Sequence, residues 1–399
     1  LYADNLRLYT KAVDKDVVEM IYAVEGGEIE IDNILALVAD MKPSSRWPQD
    51  AIDQLTQTLT QGKEAFAAAE DAAKPAILEE LREAYQAFLQ GAKGALNMHL
   101  ISDVQAVTNA EFATGLNDMK ALDPNAVFVS AGDLTSGGSA GEVDGYFNTY
   151  DNNMPVSAGN TFHLMGNHDY RGPSSNSGLW TNDVALFDET VANGATPYYA
   201  TRAAKYLSRN APYMPETNGK VYFDKWINGY HFIVMNTEKG IKDAAWISQE
   251  QINWLGEKLA EGADAEKPIF VINHQQLEDT HWRSNCLAGF GLQDAQIKAL
   301  FRQYPQVVYI TGHIHNGFGY TDVQDREFGL MVDLPSYQNT ENGVRGKGSG
   351  YYVSVYDEEI VFRARNYLTG TWLPQYDVAV GFPTLPMLYQ QVKAKDAAN

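Results

Sequence analysis

Five short motifs concentrate the residue types that can ligate metal ions. In chain order they are Ile101-Ser-Asp-Val-Gln, Ser130-Ala-Gly-Asp-Leu-Thr, Met165-Gly-Asn-His-Asp, Val271-Ile-Asn-His-Gln and Ile310-Thr-Gly-His-Ile-His. Taken singly, Asp103 is an ordinary cap or turn residue, and so is Asp133 after Gly132. Asn167-His168-Asp169 is sharper, because three polar groups directly follow an apolar stretch. His313 and His315 also follow an apolar run, and alternation there would aim both imidazoles the same way, as metal ligands require. The chain has eight histidines. His168, His274, His313 and His315 fall inside the motifs. His99, His163, His231 and His281 lie in or beside strands, or in a loop, without partnered carboxylates. They read as packed or exposed residues, with His281 the nearest of them to a motif.

Positioning such groups needs strand ends, and the pattern supplies them. Apolar runs over Met98–Ser102, Ala126–Ala131, Thr161–Met165, His231–Asn236, Pro268–Asn273 and Val307–Thr311 read as buried strands. Amphipathic helices fit between several of them, such as Ser248–Leu259 and Asp294–Phe301. This alternation argues for an α/β architecture, whose ligands gather at strand ends and the loops after them. Gly350–Tyr356 and Ile360–Arg365 read as a terminal hairpin around Asp357-Glu358-Glu359. Residues 1–94 read instead as helical. Ile52, Leu55 and Leu59 share one face. Leu78, Leu81, Tyr85 and Phe88 share another, on a helix opened by Pro75. The two are expected to form an antiparallel hairpin, and Gly26-Gly27 is expected to break the helical stretch before it. The organisation is therefore a helical region over 1–94, an α/β domain over 95–380 and a tail over 381–399.

The ordered set Asp, Gly-Asp, Gly-Asn-His-Asp, His, Gly-His-x-His resembles the calcineurin-like metallophosphoesterase superfamily across roughly residues 96–370. The resemblance implies a four-layer αββα sandwich of two packed mixed sheets. It also implies hydrolysis of phosphate esters by water that two bound metal ions activate. Carried across by motif, Asp133 would bridge the ions. Asp103, Gln105 and His315 would serve one, and Asn167, His274 and His313 the other. These are oxygen and nitrogen donors, which suit Mn, Fe, Zn or Ni. His168 would be the catalytic histidine, acting on phosphoryl charge or on the leaving group. Asp169 would hold or polarise its surroundings. The helical region resembles the short spacer modules of surface proteins in Gram-positive bacteria.

The sequence departs from that superfamily's pattern in places. Gln105 stands where Asp-x-His is usual, so it either ligates a metal through its amide oxygen or only hydrogen-bonds a metal-bound water. Ser136 replaces a common Asp or Asn, and its hydroxyl could bond His168 or phosphate. Gly137-Gly138 after it reads as a flexible turn. Arg171 could clamp a phosphate or stand exposed on the surface. Asn316 and Tyr320 could line the cleft. Residues 279–284 could form a lid carrying Arg283, and Trp282 could suit a sugar or nucleoside group or serve a structural role.

Composition sets the outer limits. A net charge of −21 repels nucleic acid and anionic membranes. It also repels phosphate esters, so a hydrolase of such esters needs cations that reverse the sign locally. No apolar run is long enough to span a membrane. The single cysteine, Cys286, excludes an internal disulfide and reads as a small packing residue. A chain that opens on Leu1 is expected to be a processed product or a piece of a longer one, and cysteine scarcity suits an extracellular or cell-surface setting, with the cytoplasm as the other choice. Two readings stand. One is a phosphoesterase acting on small or surface-linked esters, attached to a cell surface through the spacer. The other is a non-catalytic surface binding module that keeps the fold with a weakened first metal site.

Overall fold

In a computed structural model the chain is described over residues 15–89, 91–154, 158–171, 177–261, 267–338, 341–383 and 387. It divides into two compact units, Leu1–Gly94 and Ala95–Asn399. Most of the expected tail lies outside the described residues. Among the described residues no helix is long and apolar enough to cross a membrane.

The first unit holds three helices, α1 (Lys15–Ala39), α2 (Gln49–Ala68) and α3 (Lys74–Leu89). Ile52, Leu55, Leu59, Leu78 and Leu81 pack with Ala23, Ile31, Ile34 and Val38 of α1. Among its described residues the unit is thus a three-helix cluster, with α1 packed on α2 and α3. Nor does Gly26-Gly27 break α1, which runs through both residues. A Cβ on Gly27 would meet the Phe66 ring and Leu78, so this glycine serves the close approach of the helices.

The second unit is a four-layer αββα sandwich. One sheet has the order β12-β11-β10-β1-β2-β3, with β13 pairing β11. Its strands are β1 (Leu96–Ile101), β2 (Val127–Ser130), β3 (Thr161–His163), β10 (Ser349–Val355), β11 (Glu359–Asn366), β12 (Thr371–Trp372) and β13 (Val378–Gly381). The other sheet has the order β4-β5-β6-β7-β9-β8. It comprises β4 (Phe223–Ile227), β5 (Tyr230–Val234), β6 (Ile269–Ile272), β7 (Val307–Thr311), β8 (Val323–Arg326) and β9 (Gly329–Asp333). β1, β2 and β3 run parallel, and so do β5, β6, β7 and β9. The terminal hairpin forms as expected, with Val355 opposite Ile360.

The inner faces of both sheets meet in one core that includes Met98, Leu100, Phe162, Phe232, Phe270 and Ile310. Helices cover the outer faces: α4 (Asn109–Leu122) and α5 (Ala140–Asn153) on the first sheet, and Gln249–Ala260 and Asp294–Phe301 on the second. Strands enclosed on both sides must be apolar at nearly every position, which is why β5, β7 and β9 are buried throughout.

His99 is an exception inside β1. It is fully buried, its Nε2 lies 3.1 Å from the Asp123 carbonyl oxygen and its Nδ1 lies 3.2 Å from the Tyr367 hydroxyl. Burial favours the neutral ring and lowers its pKa to about 4. The unfolded chain therefore takes up this proton first. Stability should fall as pH drops from about 6.5 to about 4, by about 3 kcal/mol from this residue. Denaturant unfolding across that range, compared with a His99→Gln variant, checks the slope.

Candidate metal centre

Each motif begins where a strand ends, and the parallel strands bring the five ends together. Asp103 follows β1, Asp133 follows β2, and Asn167 follows β3. His274 follows β6, and His313 and His315 follow β7. The backbone there is not extended. Asp103, Asp133, His313 and His315 have φ of 55°, 52°, 73° and 52°. Left-handed backbone is costly for residues with a Cβ and gathers at functional sites. These turns, rather than strand alternation, aim His313 and His315. The glycines before the motifs let the loops interlock. A Cβ on Gly166 would strike the Asp133 carboxylate, and one on Gly312 would strike Ser102 and approach Asp103.

The side chains converge at ligand-to-ligand distances. Asp133 Oδ1 lies 3.3 Å from His274 Nε2. Asp103 Oδ1 lies 3.3 Å from His315 Nε2, and the Gln105 amide nitrogen, a hydrogen-bond donor and not a ligand atom, lies 3.1 Å from the same Nε2. Asn167 Oδ1 lies 3.1 Å from His313 Nδ1. Donor atoms about 2.1 Å from a first-row ion are about 3.0–3.4 Å from each other, so the Asp133–His274, Asp103–His315 and Asn167–His313 spacings are compatible with shared ions. Asp103, Asp133 and His274 also form a group whose ligand atoms lie mutually within 4.8 Å.

Donor chemistry fits metal as well. Asp133 Oδ2, Gln105 Oε1, His274 Nε2 and His313 Nε2 are buried without a hydrogen-bond partner among the described residues. Such atoms are costly unless something pairs with them. The Nδ1–H of His274 donates to the Ala131 carbonyl at 2.8 Å, which turns the Nε2 lone pair towards Asp133. Asp103 and Asp133 are both fully buried. Burial opposes charge on Asp133, but His274 and the His168 amide outweigh it and hold the carboxyl well below its usual range. At His274 burial is likewise outweighed by Asp133 and Asp103, and its pKa is pushed up to about 9. Burial and the neighbouring His274 push His313 well below its ordinary value. Two buried carboxylates beside imidazole nitrogens form a donor set that suits a cation.

His168 is half-buried, and its Nδ1–H donates to the Ser136 carbonyl at 2.8 Å. The Ser136 hydroxyl instead accepts the Ala106 N–H at 3.0 Å, so the residue orients His168 through its backbone. Asp169 is buried next to Asp133. Its oxygens accept the backbone N–H groups of Leu134, Thr135 and Gly166 at 3.0, 2.9 and 2.8 Å, and the Thr135 hydroxyl at 2.7 Å. It ties the second motif to the third. Burial, then Asp133, raises its pKa to about 7. Gly138, at φ 67°, sits against the Asp169 carbonyl, so the glycine pair is a fixed turn at this junction.

Several other expectations change. His231 pairs with Asp224 at 2.9 Å, and His281 pairs with Asp322, so both have carboxylate partners, though neither joins the cluster. Cys286 is exposed. Asn316 is buried and donates to Asp333 at 3.0 Å, bracing the last motif instead of lining the cleft. Arg283 lies 2.6 Å from Glu341, which is 3.5 Å from His315 Nδ1. Trp282 and Tyr320 are exposed and pack together at 4.9 Å. Sequence reasoning missed Glu341, Asp243 and Trp180, which reach the site from distant loops with no motif to mark them.

A family model described as calcineurin-like phosphoesterase matches residues 97–317, which contain every one of the candidate ligands. The chain belongs to this family. Among solved structures, this phosphoesterase domain is similar to a dimetal phosphatase from Danio rerio. That likeness has 13% identity, covers 72% of this chain and 99% of the other, and has a TM-score of 0.46. No curated protein matches the chain.

Proposed function

We propose that the chain hydrolyses phosphate esters, mono- or diesters of small or surface-linked molecules, at a two-metal centre. Asp133 would serve both ions, with Asp103, Gln105 and His315 completing one site and Asn167, His274 and His313 the other. The bound ions, of Mn, Fe, Zn or Ni, supply a lowered water pKa and positive charge for the phosphoryl oxygens. His168, its tautomer fixed by the Ser136 carbonyl, presents Nε2 to the ester. Asp169 keeps the loops carrying Asp133 and His168 in register. The observation that carries the reading is the buried Asp103–Asp133–His274 group, whose ligand atoms lie mutually within 4.8 Å, with Asp133 Oδ2 and His313 Nε2 buried and partnerless among the described residues. The three-helix unit holds none of these residues, and we assign it a spacer role. Manganese-loaded chain should turn over chromogenic phosphate esters. Absence of turnover across a broad panel of mono- and diesters would sink the proposal.

Gln105 is the weakest donor in the set, yet its buried Oε1 supports direct ligation. Gln105→Ala should weaken manganese at one of the two sites by roughly 10-fold and leave the other unchanged. Gln105→His should strengthen it. Calorimetric titration resolves the two events. Unaltered binding in both variants would show that Gln105 is not a ligand.

A further inference from the structure

We infer that Arg171 recognises the anionic oxygens of the substrate and selects a phosphate monoester over a diester, an inference that rests on the hydrolase reading above. Its side chain is only 15% exposed, so it is not a free surface arginine. Three groups fix it. The guanidinium carbon lies 4.1 Å from the centre of the Trp180 ring. Nη1 lies 3.4 Å from Asp243 Oδ1. Nη2 lies 3.0 Å from His168 Nε2 and 3.3 Å from Nδ1.

Asp243 is braced in turn. Asn182 Oδ1 accepts its backbone N–H at 2.7 Å, and Asn167 Nδ2 lies 3.4 Å from its Oδ1. A continuous path therefore runs from the candidate ligand Asn167 through Asp243 and Arg171 to His168.

The way this arginine spends its donors separates recognition from fold support. A structural arginine in the same chain, Arg365, uses its fork fully, with Nε 2.7 Å and Nη2 2.8 Å from the two oxygens of Asp118. Arg82 does the same with Glu30, at 2.6 and 2.9 Å. Arg171 makes one long contact to a carboxylate, Asp243, which also has Lys242 at 3.6 Å, and its Nη2 is set against the His168 ring. Among the described residues its fork is not paired with both oxygens of one carboxylate, and fork geometry matches phosphate. Because Nη2 and His168 Nε2 are 3.0 Å apart, a phosphoryl oxygen that accepts from the guanidinium also lies beside the His168 ring.

A monoester brings a dianion to that point. A diester brings one charge fewer and a second ester group that must occupy the space beside Arg171 and Trp180. In a partly buried site the additional charge next to a guanidinium is worth more than in water.

The test uses metal-loaded full chain with p-nitrophenyl phosphate and bis(p-nitrophenyl) phosphate. Arg171→Met, which keeps volume over Trp180, should lower monoester kcat/KM by roughly 10–100-fold. The monoester-to-diester ratio should fall by about tenfold or more, with partial recovery in Arg171→Lys. Calorimetric binding of inorganic phosphate should weaken by a similar factor. Equal losses on both esters would overturn the inference, since they would mean that Arg171 only places His168. Should wild type hydrolyse neither ester, the hydrolase reading fails separately and phosphate binding decides. Weaker binding in Arg171→Met then sustains anion recognition, and unchanged binding overturns it. If Arg171→Met does not fold, the same ratio and phosphate affinity are read from Arg171→Lys.

Discussion

Asp133→Asn should lower turnover by about 10³-fold or more and cut bound metal well below the wild-type content. Asp133 is the one side chain assigned to both ions. Its Oδ2 is buried without a partner, and its Oδ1 lies 3.3 Å from His274 and accepts the His168 N–H at 2.9 Å. An amide keeps the shape and still offers one oxygen to the His168 N–H, so the loop that carries His168 should hold. What disappears is the charge that two cations share. Elemental analysis alongside steady-state rates checks both halves. Wild-type metal content in the variant would show that Asp133 does not bridge.

His168→Ala should separate chemistry from metal binding. We expect kcat to fall by about 10²–10⁴-fold, the usual range for losing a positioned proton-transfer group, with metal content unchanged. The separation follows from geometry. The imidazole contacts the Ser136 carbonyl and Arg171, and only its backbone N–H touches a candidate ligand. The chain bond to Asn167 is retained in the variant. Parallel loss of metal would instead make His168 part of the metal site's support.

Much of this site was legible in the sequence because motif order survives folding. Parallel strands put their carboxyl-terminal ends on one edge, so five motifs that each follow an apolar run had to meet. The limits of the eight strands read from the sequence were also legible to within a few residues, because runs buried on both faces stand out from their polar flanks, whereas β4, β8, β9, β12 and β13 went unread. What was not legible depends on contacts between loops. Nothing in the residues around Asp103 or His315 announces a left-handed φ. Nothing in Ser136 says that its carbonyl, and not its hydroxyl, orients His168. Arg171 looked as much like a surface residue as a clamp, because Trp180 and Asp243 are distant in sequence from it. His231 and Asp224 pair across the β4–β5 hairpin, and His281 pairs with Asp322 across separate loops. Gly26-Gly27 misled for a different reason. Glycine weakens an isolated helix, but the packing of Phe66 against Gly27 outweighs that propensity.

The most direct test of the two-metal centre is the metal content of the purified chain after loading and removal of excess ion. The account predicts close to two transition-metal ions per chain, falling sharply in Asp133→Asn. Loaded wild-type chain that holds no metal would contradict it.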